Sequence, residues 1–281
     1  MAKARASVGA SLPVQLKSSS NVRWELAHDS WRDWACLADE MLRCRQIPDG
    51  GTLLKQGPNR LIARMPRPAG DATGPESVVV KSFPMQHTRQ VLLGRYRRYG
   101  PAELEHLLLA RKKGVPVPQV YGYAEKRLAG LMVTNTAVMM EDFSGAETLG
   151  GVLASQPTLK EEEAALAVAG SLLLRLHAAG CNHIDLNAGN IFLPTESLPE
   201  GGVIDLMYAC FHPIPSLNTL CFMVGYLANS MAFHIPADRI DHWIAEVIAA
   251  SEGANRQAHW LDVVSAFRGL RLSRHERLAL D

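Results

Sequence analysis

The chain lacks a charge excess of either sign, with 29 basic against 28 acidic side chains in 281 residues. A general nucleic-acid binder carries a clear positive surplus, so no nucleic-acid partner is expected. It also lacks any C-x-x-C spacing. Five cysteines (Cys36, Cys44, Cys181, Cys210 and Cys221) are an odd number, which excludes a complete disulfide framework and fits a reducing compartment, with core packing as their role. No apolar run reaches the roughly 18 residues that a membrane span needs. The longest, from Leu217 to Phe233, is interrupted by Asn218, Asn229 and Ser230 and reads as a buried helix. The first residues include Lys3 and Arg5 but no continuous apolar segment, so a secretory signal is not expected and the cytoplasm is implied. Internal repeats and low-complexity segments are absent.

What remains is a chain of ordinary apolar content, 47%, long enough to bury one core or a core in two lobes. Residues 1 to about 20 are small, polar and aperiodic, which suggests a flexible leader. From Trp24 to Leu42 apolar residues recur at helical spacing, with Trp31, Trp34 and Leu42 on the side to be buried. Extended pieces follow: "TLLKQGPNRLIARM", with a turn at Gly57-Pro58-Asn59, then "ESVVVKSF". "PAELEHLLLARKKG" has Pro101 suited to a first helical turn and Gly114 to a stop. "VPVPQVYGYAE" and "TAVMMEDF" supply two further strands, so the front half is expected to be a five-stranded, mostly antiparallel sheet with one helix. Beyond residue 143 the pattern is mainly helical. It begins with a helix from Lys160 to Gly180 that places Leu166, Leu173 and Leu176 on one face. The division expected is an N-terminal extension over 1–46 (leader plus helix), a sheet-rich lobe over 47–142 and a helical lobe over 143–281.

The segment "HIDLNAGNIFL", residues 183–193, carries the chemistry. His183-x-Asp185, Asn190 five positions after the Asp, a short hairpin, and then Asp205 collect oxygen-bearing side chains at strand ends. Carboxylate and amide oxygens suit a hard cation such as Mg²⁺, and a hydroxyl nucleophile needs an oriented base. Phosphoryl transfer uses that set. Lys81, closing the run Val78-Val79-Val80, is placed to reach phosphate oxygens, and Glu103 on the next helix is placed to pair with it. Each residue alone has a plainer reading: a turn Asp, a surface Lys, a solvated Glu, a hydrogen-bonded structural His. Their order and element types together favour the chemical one. His183 is read as structural, bracing the loop.

These features in this order resemble the protein-kinase-like fold, and "LLLRLHAAGCNHIDLNAGNIFL" resembles more particularly the lipopolysaccharide kinase family, the Kdo and heptose kinase group. The resemblance extends through "AELEHLLLARKKGVPVPQVYGYAE" and covers about residues 50 to 215. It implies an α+β, bilobal fold: a small antiparallel sheet lobe with one helix, and a mainly helical lobe. It also implies ATP and Mg²⁺ as cofactors. Asp185 would be the catalytic base, Asn190 and Asp205 the metal ligands, Lys81 the phosphate-contacting lysine and Glu103 its partner, with Glu105 as rival. Met140, Glu141 and Phe143 fall where a hinge would meet adenine, and Gly57 lies in the loop that would cover the phosphates.

The activity implied is transfer of the γ-phosphoryl group of ATP to a sugar hydroxyl of the lipopolysaccharide inner core, Kdo or heptose, at the cytoplasmic face of the inner membrane. A protein kinase and an aminoglycoside-type phosphotransferase are the alternatives on the same fold. A eukaryotic-type protein kinase would have Arg where Ile184 stands, Lys at Asn187 and Gly at Met207. Arg89, Arg95, Arg97 and Arg98 form a cluster suited to an anionic glycolipid or membrane surface.

Overall fold

The computed structural model describes residues 12–19, 21–71, 74–85, 99–251 and 257–280. The arginine cluster at 89–98 lies outside them. Two compact units emerge. The first comprises Met1–Leu108 and Gln119–Asp142, the second Leu109–Pro118 and Phe143–Asp281.

The first unit is built on one antiparallel sheet of seven strands: β1 (Val14–Lys17), β2 (Val22–Leu26), β3 (Thr52–Gly57), β4 (Arg60–Pro66), β5 (Ser77–Pro84), β6 (Val120–Leu128) and β7 (Met132–Glu141), in the order β1-β2-β6-β7-β5-β4-β3. The α+β class holds, and two strands exceed the expected five. Both come from the N-terminal stretch, where a flexible leader and a helix starting at Trp24 were expected. In "VRWEL" the period is two: Val22, Trp24 and Leu26 are fully buried, while Arg23 points out. A five-residue alternation is short enough to be absorbed by the helical pattern that follows it. The helix α1 itself is Arg32–Cys44 and packs on β2, β5, β6 and β7. It buries Trp34 and Leu42, whereas Trp31 precedes it, half-buried and stacked on Tyr121 with ring centroids 3.8 Å apart. Asp39 of α1 ties the added strands down, accepting from Trp24 Nε1 and from Ser18 Oγ at 2.8 Å each.

Lys81 lies within β5 rather than at its end, paired with Ile62 on β4 and Val138 on β7. The helix α2 (Tyr99–Lys112) begins close to the sheet, since a Cβ at Gly100 would collide with Thr136 of β7. It stops at Gly114, whose φ of 78° is the left-handed conformation that glycine adopts at little cost.

The second unit is mainly helical: α3 (Leu149–Ala154), α4 (Leu159–Ala178), α5 (Leu217–Met231), α6 (Ala237–Ala250), α7 (Gln257–Gly269) and α8 (Arg274–Leu278). Thr158 and Glu161 form a reciprocal capping box that starts α4. The face of α4 carrying Leu166, Leu173 and Leu176 is buried, as its spacing suggests. Interrupted though it is, "LNTLCFMVGYLANSM" is the helix α5, with ten buried residues. It packs against α4, α6 and α7. No described helix is long and apolar enough to cross a membrane. After α4, Gly180 turns the chain with φ 68° and donates to His177 O at 2.7 Å. Two small ladders follow, β8 (Cys181–Asn182) with β11 (Cys210–Phe211), and β9 (Ile191–Phe192) with β10 (Gly202–Val203). The stretch of greatest chemical interest is strung between them.

Candidate active site

Asp185 stands in a loop whose backbone is over-determined by local hydrogen bonds. Its carbonyl accepts from Asn187 N–H at 3.0 Å, Asn187 Nδ2 at 3.2 Å and Asn190 Nδ2 at 2.9 Å. Asn187 also accepts Gly189 N–H on Oδ1 at 2.9 Å, an Asx-turn that starts the short helical turn Ala188–Asn190. Ser230 Oγ of α5 receives Ala188 N–H at 3.0 Å, joining the loop to the helical core. This is what "DLNAGN" encodes: short polar side chains that satisfy a tight turn from within.

His183 braces the same loop, and buried as it is, both ring nitrogens are used. Nε2 lies 2.9 Å from Ile204 O and Nδ1 lies 3.4 Å from Asp185 N–H, which fits a ring that donates from Nε2 and accepts on Nδ1. The hairpin β9–β10 sets Asn190 opposite Ile204, whose N–H donates to Asn190 O at 3.0 Å. Asp205 therefore follows at the same hairpin end as Asn190. Its φ of 70° and ψ of 44° are left-handed, a conformation that costs a non-glycine residue on the order of 1 kcal/mol and that concentrates at functional positions.

The chemistry of these donors fits a magnesium ion. Asn190 spends its amide nitrogen on Asp185 O, which leaves the side-chain carbonyl as its hard oxygen donor, and Asp205 adds a carboxylate. Among the described residues no three His, Cys, Asp or Glu side chains gather into a metal site of their own. Mg²⁺ binds in just such sparse settings, with phosphate oxygens and water completing its shell.

Two residues that sequence reasoning passed over complete this loop. Tyr226 of α5 donates its hydroxyl to Asp185 Oδ1 at 2.9 Å. Its phenol is raised above the usual tyrosine range, first by burial and then by the charge of Asp185, so it remains a donor at neutral pH. Arg277 of α8 lies over the Tyr226 ring, 4.7 Å from its centroid, and donates from Nη1 to Ile184 O at 3.2 Å. A lone tyrosine in a helix as apolar as α5 was the available signal, because a buried phenol seeks a partner for its hydroxyl. Arg277 lay in a tail with no legible pattern.

In the first unit, Lys81 Nζ is 2.7 Å from Glu103 Oε1, and the pair is almost out of solvent, at 5% and 0% exposure. Glu105 is exposed. Two residues along a helix is a rotation of roughly 200°, so only one of the two acids can face β5. Gly57 ends β3 and pairs with Arg60 across the hairpin turn. Met140 lies in β7 between Val79 and Val120. The N–H of Glu141 already donates to Gln119 O at 2.8 Å, so of the expected hinge groups this one is committed to the sheet. In the second unit Phe143 packs edge-on against Phe192, centroids 5.7 Å apart, and covers Gly202.

Residues 90–209 match the model of the lipopolysaccharide kinase (Kdo/WaaP) family. That span holds the glutamate helix, the Asp185 loop and the hairpin with Asp205, and the resemblance seen in the sequence stands. No curated protein matches the chain. Among solved structures the chain is similar to WaaP in complex with acyl carrier protein, with a TM-score of 0.54 and 15% identity over 77% of this chain and 86% of that one. At that identity the likeness establishes the fold, which is protein-kinase-like. In all, 990 solved chains match, so the fold by itself leaves the substrate open. The lipopolysaccharide kinase model matches the stretch that carries Glu103, Asp185, Asn190 and Asp205, and the residues on either side of it are not matched.

Proposed function

We propose that the chain is an ATP-dependent kinase that transfers the γ-phosphoryl group to a sugar hydroxyl of the lipopolysaccharide inner core, Kdo or heptose. The observation that carries this reading is the built loop around Asp185, lying inside the stretch that matches the lipopolysaccharide kinase family. Asp185 accepts the acceptor hydroxyl's proton, and Tyr226 holds its carboxylate in place. Asn190 and Asp205 are the side chains that would hold magnesium, whose bound charge offsets that of the phosphates. Lys81, oriented by Glu103, contacts the nucleotide's phosphates. Gly57, Met140, Glu141 and Phe143 are assigned to the nucleotide on the resemblance. The enzyme would work at the cytoplasmic face of the inner membrane, and the sequence cluster Arg89, Arg95, Arg97 and Arg98 has the charge to suit anionic lipid or glycolipid.

The test offers labelled ATP and magnesium with three acceptors in parallel: deacylated core oligosaccharide, a generic protein mixture and an aminoglycoside panel. Label in the saccharide alone, lost in Asp185→Ala, is the expected result. Label in protein or aminoglycoside instead would reassign the acceptor.

A further inference from the structure

Beside Asp185, within the second unit, lies a cavity of about 460 Å³ whose lining includes Asn187, Tyr226, Ser230, Phe267, Arg271 and Arg277. Its size falls in the range of small-ligand sites, roughly 300–1,000 Å³. Tyr226 belongs both to its wall and to Asp185, through the 2.9 Å hydrogen bond. A molecule in this cavity is thus one side chain away from the proposed base.

The lining has a one-sided chemistry. Two guanidinium groups contribute to it and no carboxylate does. A second cavity, in the first unit, carries both signs with an acidic excess by contrast, its lining including Arg45, Glu40 and Asp49. The two arginines also differ from each other. Arg277 is committed to protein, through Leu272 O at 3.0 Å, Ile184 O at 3.2 Å and the Tyr226 ring. Arg271 is exposed and has no hydrogen-bond or ion-pair partner among the described residues. Phe222 and Phe267 pack edge to face, 5.8 Å apart, and give the cavity an aromatic wall. Apolar ring faces accept the C–H side of a sugar ring, and a free planar guanidinium is suited to a bidentate grip on a carboxylate or phosphate.

We propose that this cavity is the acceptor subsite and that Arg271 selects an acceptor bearing an anionic group close to the hydroxyl to be phosphorylated. The inference rests on the sugar-kinase reading and adds to it the place where the sugar sits and the residue that reads its charge. It also assigns a task to the C-terminal segment, residues 270–277, which lies beyond the matched stretch.

The experiment measures steady-state transfer from ATP to deacylated core oligosaccharide in three preparations: intact, dephosphorylated, and carboxyl-reduced. Wild type, Arg271→Ala and Arg271→Lys are compared; Arg271 is exposed, so its replacement leaves the fold intact. The acceptor KM is expected to rise about ten- to a hundredfold in Arg271→Ala, as for loss of a hydrogen bond to a charged group. The KM for ATP should stay within about twofold, and Arg271→Lys should recover part of the loss. The wild-type preference for an intact over a modified preparation should vanish in Arg271→Ala, and the preparation that loses the preference identifies the group as carboxylate or phosphate. An unchanged acceptor KM, or a fall in kcat alone, would overturn the subsite while leaving the kinase reading standing. Failure of wild type to label any saccharide would overturn both.

Discussion

The two units hold their chemical groups by opposite means. In the sheet unit Lys81 and Glu103 meet at 2.7 Å inside the protein, one on a central strand and one on a helix, and Glu103 Oε2 is buried without a hydrogen bond. In the helical unit Asp185 and Asp205 remain partly exposed on short loops, and Asp185 is held by a hydrogen bond from Tyr226. Burial makes the first pair part of the fold, so breaking it is felt as lost stability. Short loops leave the second set in contact with solvent, so on the proposed function altering it is felt as lost rate. One chain thus holds one charged pair by burial and keeps the other set at the surface of short loops.

The largest effect that would sharpen this contrast comes from Glu103→Ala, which takes the carboxylate at 2.7 Å away from the buried Lys81. A cost of about 3–5 kcal/mol in urea unfolding is expected. The double variant Lys81→Met/Glu103→Leu should recover most of that stability. Glu105→Ala, on the exposed side of the same helix, should change stability by no more than about 0.5 kcal/mol. A Glu103→Ala protein as stable as wild type would break the contrast.

Tyr226→Phe probes the other side. Removing the hydrogen bond to Asp185 should lower the transfer rate about tenfold with a stability change near 1 kcal/mol. Burial raises the phenol, so the protonated donor persists beyond the ordinary tyrosine value. The rate ratio of wild type to variant should therefore stay flat from about pH 6 to pH 9, below the roughly pH 10 of a free phenol. A ratio that collapses toward unity within that window would show that the bond is not what Tyr226 contributes.

The smallest effect expected is a labelling difference. Cys36 and Cys44 of the sheet unit are exposed, whereas Cys181 and Cys221 of the helical unit are buried. Burial pushes Cys221 up to about 12 and Cys181 upward too, so both remain thiols at pH 8. Alkylation of the native protein at that pH, read by peptide mass spectrometry, should mark Cys36 and Cys44 and spare the other two. Prompt modification of Cys221 would mean that α5 opens.

Legibility in the sequence followed the range of the interactions. The Asp185 loop was readable because its partners are two to five residues away, within a motif whose turn chemistry is local. The helix α4 was readable because its period, acidic start and closing glycine agree. The strand Val22–Leu26 was not, because five alternating residues border a stronger helical pattern and its burial depends on pairing with β6, about a hundred residues away. Glu103 and Glu105 could be told apart only by which face of α2 meets β5. Tyr226 and Arg277 reach the loop from 41 and 93 residues further along, and nothing near them in sequence announces that contact.

The most direct test of the central claim is magnesium-dependent transfer of phosphate from ATP to deacylated core oligosaccharide, followed by mass spectrometry in wild type and Asp185→Asn, with nucleotide binding measured on both. The expected result is a saccharide carrying one added phosphate with wild type, a rate lower by about 10²–10⁴ in the variant, and equal nucleotide affinity in the two. Equal product from both proteins, or tight nucleotide binding by wild type with no phosphate reaching the saccharide, would contradict it.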